Sequence, residues 1–188
     1  MTRFTLAGAL VALMLAGCTD DSGPAVLPPP QELTAEAIGH YCGMGVLEHA
    51  GPKGQIILAS SLAPVWFSSA RDAIAFTLLP DEPRDIRAVY VSDMARAPSW
   101  EEPGPANWID AHKAVFVIDS RMESGMGTPE AIPFSDRAIA EKFASENGGS
   151  IVRLLEIPRD YVLGGGDGQS PRPSAPAKRK MSEHLSIH

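Results

Sequence analysis

The chain has only two cysteines in 188 residues and no Cys-x-x-Cys pair, which removes dithiol redox chemistry and a structural zinc site. It also lacks His-Glu-x-x-His and Gly-x-Ser-x-Gly, the marks of zinc hydrolases and of the nucleophile elbow. No phosphate-cradling glycine loop is present: in Gly51-Pro52-Lys53-Gly54 a proline stands where N–H donors would be needed. Carboxylates are plentiful but scattered, with no pair spaced for acid/base work. Basic residues are scarce too, 16 Lys and Arg against 23 Asp and Glu, for a net charge of −7.

Both ends of the chain read as lying outside the fold. Residues 1–17 form a signal peptide: Arg3, then an apolar run from Leu6 to Ala16 that is too short to span a bilayer as a mature helix. The run ends in Leu15-Ala16-Gly17-Cys18, similar to the lipobox of bacterial lipoproteins. That resemblance implies cleavage before Cys18 and its lipidation, hence stable membrane anchoring through the N-terminus. Thr19 after the lipidated cysteine leans towards the outer membrane by the enterobacterial sorting pattern, and the leaflet stays open. Residues 18–33 are expected to be anchor and proline-rich spacer, spanning at most about 50 Å, and residues 164–188 a disordered Gly/Pro/basic tail. Without Arg3 the net charge is −8; the tail holds four basic and two acidic residues, so the rest carries −10. An acidic domain argues against nucleic-acid binding.

Residues 34–163 remain as one domain, and they contain an internal repeat. At a constant offset of 67, Phe67 meets Phe134, Ser68 meets Ser135, Ala73 meets Ala140 and Phe76 meets Phe143. Each half reads as strand, strand, helix, strand: strands over 55–59, 65–67 and 87–91, then over 114–119, 131–134 and 150–156. The first helix starts from Ser68 or Ser69 and stops at Leu79-Pro80, with Ala70, Ala73, Ile74, Thr77 and Leu78 facing the core. The second starts from Ser135-Asp136, turns Ile139, Ala140, Phe143 and Ala144 inward, and ends at Gly148-Gly149 with a left-handed stop. The expected class is α+β, two tandem ββαβ units packed into one domain.

What stands out against the absences is sulfur. Tyr41-Cys42-Gly43-Met44-Gly45 places a thiolate donor and a thioether donor two residues apart on a glycine-rich turn. Soft ligands of this kind select Cu(I). With Cys18 acylated, Cys42 is the one remaining thiol. Met126 sits between Gly125 and Gly127 in a like setting and is a further candidate ligand. Met94 and Met122 read as packing residues. His49 could complete a three-coordinate S₂N site, since imidazole suits copper; a solvent-facing turn histidine is the plainer alternative. His40 and His112 are weaker candidates.

Tyr41-Cys42-Gly43-Met44, His49-Ala50-Gly51-Pro52-Lys53-Gly54-Gln55, Trp66-Phe67-Ser68-Ser69-Ala70-Arg71-Asp72, Tyr90-Val91-Ser92-Asp93-Met94, Gly125-Met126-Gly127 and Ile157-Pro158-Arg159-Asp160-Tyr161-Val162 together resemble the NosL family of membrane-anchored copper chaperones. The resemblance implies a fold similar to part of the organomercurial lyases. It implies Cu(I) held by Cys42 and Met44. It further implies docking to the periplasmic component of an ABC-transporter maturation complex, and delivery of copper to the copper–sulfide centre of nitrous oxide reductase. Such a protein works on the periplasmic side of the envelope and is not an enzyme. Two other readings stay open: a thiol enzyme of the organomercurial-lyase type, for which one thiol is a poor endowment, and a general copper-sequestering lipoprotein with no dedicated client.

Overall fold

The computed structural model describes residues 26–164. The expected signal peptide, Cys18, the first half of the expected spacer and the expected tail from residue 165 lie outside the described residues. Among the described residues no helix is long and apolar enough to cross a membrane.

The architecture is α+β, and each half is a ββαβ unit. The first comprises β1 (Gly54–Leu58), β2 (Val65–Phe67), α1 (Ala70–Leu78) and β3 (Ile86–Ser92). The strand β4 (Trp108–Asp110) follows, and then the second unit: β5 (Val115–Ile118), β6 (Ile132–Phe134), α2 (Arg137–Asn147) and β7 (Ser150–Arg153). In each unit the first strand lies at the centre, so the sheets run β2-β1-β3-β4 and β6-β5-β7, antiparallel throughout. Phe67 pairs with Gly54 and Phe134 with Val115. The two phenylalanines aligned at offset 67 thus hold equivalent places, each opposite the first residue of a central strand. Pro133 is tolerated because β6 is an edge strand.

The helices begin where their caps dictate. The Ser69 hydroxyl accepts from Asp72 N, and the Asp136 carboxylate accepts from Ala138 N and Ile139 N. α1 is buried on nearly every side, Arg71, Ala75 and Phe76 included. It packs between its own sheet and a short C-terminal helix, α3 (Arg159–Leu163). One cluster, with Ile56, Phe67, Ala73, Phe76, Val91, Phe116, Ile118, Ile157 and Val162, joins both units. α2 instead lies on the outside. Ala140 is its one buried residue, and Ile139, expected inward, is 40% exposed. With only a three-stranded sheet beneath it, the helix buries a narrow stripe. Gly148 does end α2 at φ 76°, but its ψ of −177° is not the left-handed helical value. The last strand closes at Arg153, not residue 156, because Leu154–Glu156 turn into a 3-10 helix with the Glu156 carboxylate accepting from Arg153 N.

The expected spacer ends earlier than residue 33. Leu33 is buried with Ala37 and Val46 against Trp66 and Trp108. Gln31 N donates to Gln55 Oε1 (2.8 Å), Gln55 Nε2 donates back to Gln31 O (2.9 Å), and the Tyr90 hydroxyl donates to Pro28 O (2.7 Å). Residues 28–33 therefore form a strap across the sheet face away from α1. The strap accounts for the complete burial of Gln55: a glutamine inside a sheet needs partners, and Gln31 supplies them. Composition concealed this, since proline-rich chain without apolar periodicity carries no sign that its main chain will be captured by two side chains.

Candidate metal site

The chain from Ile38 to Gly45 folds back on itself. Ile38 bridges Gly45, and Gly39 N donates to Met44 O (2.9 Å) and Gly43 N to Gly39 O (2.8 Å). His40 N donates to Trp66 O (2.7 Å), which fixes the loop to β2. Cys42 and Met44 ride on this turn, as the flanking glycines suggest, and Gly43 holds a φ of 67°. Cys42 is a free, half-buried thiol. Its Sγ lies 3.3 Å from Ser68 Oγ and 4.0 Å from both Gly39 O and Met44 O. Met44 is exposed beside it. A Cβ on Gly39 would stand 2.6 Å from Cys42 Sγ and 2.8 Å from Ser68 Oγ. Gly39→Ala is therefore expected to displace the thiol, seen as faster alkylation of Cys42 and weaker metal binding with little change in melting temperature.

His49 follows a 3-10 turn, Val46–Glu48, as its C-cap. His49 as a residue is half-buried, and its Nε2 is buried with no protein partner. A buried unpaired imidazole nitrogen is costly unless it serves as a ligand or binds a group absent from the chain. The Met126 loop reaches this histidine from the second unit. Gly125 N donates to Ala50 O (3.1 Å), and a Cβ on Gly125 would lie 2.7–2.9 Å from Ala50 N, His49 Cβ and Ala50 O. The close approach of two main chains is what glycine permits here. It seats Met126, 43% exposed, next to the His49–Ala50 segment. The contact depends on loop length: the β1–β2 connection covers residues 59–64, its counterpart in the second unit residues 119–131. The longer loop also carries Glu130.

The remaining candidates stay apart. His40 Nε2 lies 3.2 Å from Glu82 Oε1, which also accepts from the Tyr41 hydroxyl (3.0 Å). His112 Nδ1 lies 3.3 Å from Asp110 Oδ1 in an exposed pair. Met94 and Met122 pack against the second unit's core with Trp100. Among the described residues no three His, Cys, Asp or Glu side chains gather as a metal cluster. Beside the Cys42 thiol the same turn offers the Met44 thioether, a soft donor pair fitted to a soft monovalent ion.

Sequence reasoning passed over two buried charges at the same junction. Lys53, 1% exposed, donates through Nζ to His49 O, to Ala50 O (3.2 Å) and to Ser68 O (3.5 Å). Burial pulls its pKa down to about 8, against the opposing charges of Glu130 and Cys42. Glu130, also 1% exposed, accepts at Oε1 from Arg71 N and Ala131 N, both 2.9 Å, while its Oε2 has no partner. Burial pushes its pKa up to about 8, with the Arg71 and Ala131 N–H groups opposing. The native state thus binds a proton at Glu130 that the unfolded chain has released above the usual carboxylate range. Stability from this group is fullest below about pH 4.5 and is lost as pH rises towards 8. Glu130→Gln should flatten that part of the melting-temperature profile; an unchanged slope between pH 5 and 8 would count against it. A buried lysine in a Gly-Pro-Lys-Gly turn was the only available sequence signal.

The chain is similar to known proteins over most of its length. The NosL family model matches residues 30–162. The copper-binding lipoprotein NosL of Achromobacter cycloclastes is 45% identical over 162 residues, covering 86% of this chain and 82% of the relative. The copper-binding lipoprotein NosL of Stutzerimonas stutzeri is 29% identical over 153 residues, 81% of this chain and 78% of the relative. The crystal structure of the copper chaperone NosL from Shewanella denitrificans superposes with a TM-score of 0.65 at 34% identity, covering 70% of this chain and 98% of that one.

Proposed function

This chain belongs to the NosL family, and from that premise we propose that it is a Cu(I) metallochaperone anchored to the membrane through a lipid on Cys18. The observation that supports the reading is a free thiol and a thioether carried on one turn. The Cys42 thiol and Met44 share one turn, and the buried, unpartnered His49 Nε2 and the Met126 loop adjoin each other. Thiolate supplies charge and most of the affinity. Thioether is neutral and weaker, which suits a ligand meant to be released. Copper is cargo here: it enters, is held in the +1 state by soft donors, and leaves by ligand exchange, with the recipient's donors replacing a thioether before the thiolate. No bond in a substrate is made or broken, so the protein is a carrier and not an enzyme.

The recipient in this proposal is the copper–sulfide centre of nitrous oxide reductase, reached through the periplasmic component of an ABC-transporter maturation complex. The lipid holds the carrier on the periplasmic side of the envelope, with the outer membrane favoured by Thr19. The test is the metal content of that enzyme in a strain lacking this protein. The expected result is enzyme that is made but lacks its catalytic copper cluster, with restoration by the wild-type gene. Fully metallated enzyme in the deletion strain would leave a copper-binding lipoprotein without this client.

A further inference from the structure

We propose that the β1–β2 loop and the start of the strap form a membrane-facing patch, seated in the interface of the bilayer that holds the lipid on Cys18. The inference rests on the reading of Cys18 as the anchor and adds a fixed orientation of the domain.

The patch is read from exposure. Leu62 is 99% exposed and Val26 88%. They are distant in sequence, yet with Pro28, Pro29, Pro30 and Arg87 they line one groove. Leu27, exposed as well, follows Val26 in the chain. Single apolar side chains scattered over a surface are ordinary, and Leu155, as bare as Val26, is one of them. The groove differs in gathering several and in its lack of charge. Neither Val26-Leu27-Pro28-Pro29-Pro30-Gln31 nor Ala59-Ser60-Ser61-Leu62-Ala63-Pro64 holds an ionised side chain, in a chain where 21% of residues do. Charge is what bars a loop from lipid. The exposure is also held in place. Gln31 Nε2 donates to Leu62 O (3.1 Å), which joins strap to loop. Ala59 N donates to Asp85 O (2.8 Å), Ser60 N to Asp85 Oδ2 (2.7 Å) and Ser61 Oγ to Ala63 O (2.7 Å).

Position in the chain makes the bilayer the occupant. Eight residues lead from Cys18 to Val26, a contour of at most about 28 Å. An anchor at Cys18 keeps this edge of the body beside the membrane. A contact too weak to recruit a free protein is then enough to orient an anchored one. The rim suits a zwitterionic headgroup. Exposed Arg87 has an aliphatic stem for the patch and a guanidinium for phosphate. The Asp85 carboxylate at Ser60, and exposed Glu32 next to Gln31, are partners for the ammonium of ethanolamine or choline.

Such a seat leaves the metal turn free. The β1–β2 hairpin carries Leu62 on the loop at one end. At its other end Gly54 pairs with Phe67, and Ser68 follows with its hydroxyl 3.3 Å from Cys42 Sγ. With the loop in the bilayer, the Cys42–Met44 turn stands at the end away from it, open to a partner in the aqueous phase.

The test joins residues 18–188 to a membrane by chemistry. In a Cys42→Ser background Cys18 is the one thiol. It is coupled to a maleimide-headgroup lipid in phosphatidylcholine vesicles that carry a photoactivatable diazirine on an acyl chain. After irradiation, labelled peptides are mapped by mass spectrometry. Peptides covering residues 26–31 and 59–64 should take up several-fold more label than those covering 38–47 and 150–156. Leu62→Gln should cut the label at 59–64 several-fold with no change in melting temperature, since that side chain is bare. Leu155→Gln should leave the label pattern unchanged. Label that is absent or spread evenly over the surface would overturn the proposal. So would label concentrated at 38–47, which would set the metal turn against the lipid, and label at 59–64 that Leu62→Gln does not reduce. The coupling does not depend on processing in the cell. The mass of the N-terminal peptide from membrane-extracted protein therefore tests the anchor reading by itself.

Discussion

Cys42→Ser is expected to abolish high-affinity Cu(I) binding while leaving the fold intact. An alcohol stays protonated at neutral pH and is a hard donor, so both the charge and the softness of the site are lost. The half-buried Sγ contacts Ser68 Oγ and two carbonyl oxygens, and a serine hydroxyl can replace those contacts, so the melting temperature should stay within a few degrees of wild type. Anaerobic titration against a competing Cu(I) chelator should give one ion per wild-type protein and a drop of several orders of magnitude in the variant. Met44→Ala should do less damage, Met126→Ala less again and His49→Ala least by the donor argument from sequence. Burial of the unpaired His49 nitrogen makes the position of His49 in that order the informative one. Binding should weaken as pH falls, because the thiol must lose its proton to ligate. Wild-type affinity in Cys42→Ser would place the copper elsewhere.

Arg71→Ala is expected to cost about 3–5 kcal/mol of folding stability. Arg71 is 6% exposed, and its guanidinium holds the end of the domain to its middle. Its Nε donates to Tyr161 O (2.9 Å), Nη1 to Pro129 O (3.5 Å) and Nη2 to Gly164 O (2.6 Å), with the Tyr161 ring 5.8 Å away. Removing it strands those carbonyls and opens a gap between α1 and α3. A thermal melt should show a fall of roughly ten to seventeen degrees for a domain of this size. The same contacts define a safe truncation: ending the chain after residue 164 should be neutral, whereas ending it before Arg159 should destabilise it much as Arg71→Ala does. A near-neutral Arg71→Ala would mean that α3 is held by its apolar contacts alone.

The parts of this fold that were legible in the sequence are those written in local chemistry. Ser69 and Asp136 cap their helices, and the β-branched runs at 54–58, 86–92 and 115–118 became central or inner strands. The repeat was legible because duplicated packing needs like residues in like places, as Phe67 and Phe134 show. Features that depend on distant partners were not. β4 is a three-residue strand whose existence depends on pairing with Tyr90, Val91 and Ser92. Ile139 satisfied the helical period and is still exposed, because periodicity names a face without saying what covers it. At the site, Cys42 and Met44 were legible through two residues of spacing, whereas the Gly125–Ala50 contact that sets the Met126 loop against the His49–Ala50 segment spans two units and leaves no trace in either segment alone. Lys53 and Glu130 were hidden for the same reason: a single charged residue in a turn reads as solvated, and only the assembled junction reveals otherwise.

The strap at residues 28–33 changes how far the domain can travel. An anchor at Cys18 followed by free chain to residue 33 would allow about 50 Å of contour. With Pro28 already bonded to Tyr90 and Gln31 to Gln55, the contour from Cys18 to the body is at most about 35 Å. A short leash raises effective concentration. Were the anchor and the recipient in one membrane, with the docking site inside that shell, the tethered carrier would meet it at a raised effective concentration. Transfer would then tolerate weak docking, with dissociation staying fast. Breaking the strap, by Tyr90→Phe with Gln55→Leu, would lengthen the leash and dilute the carrier without touching a metal ligand.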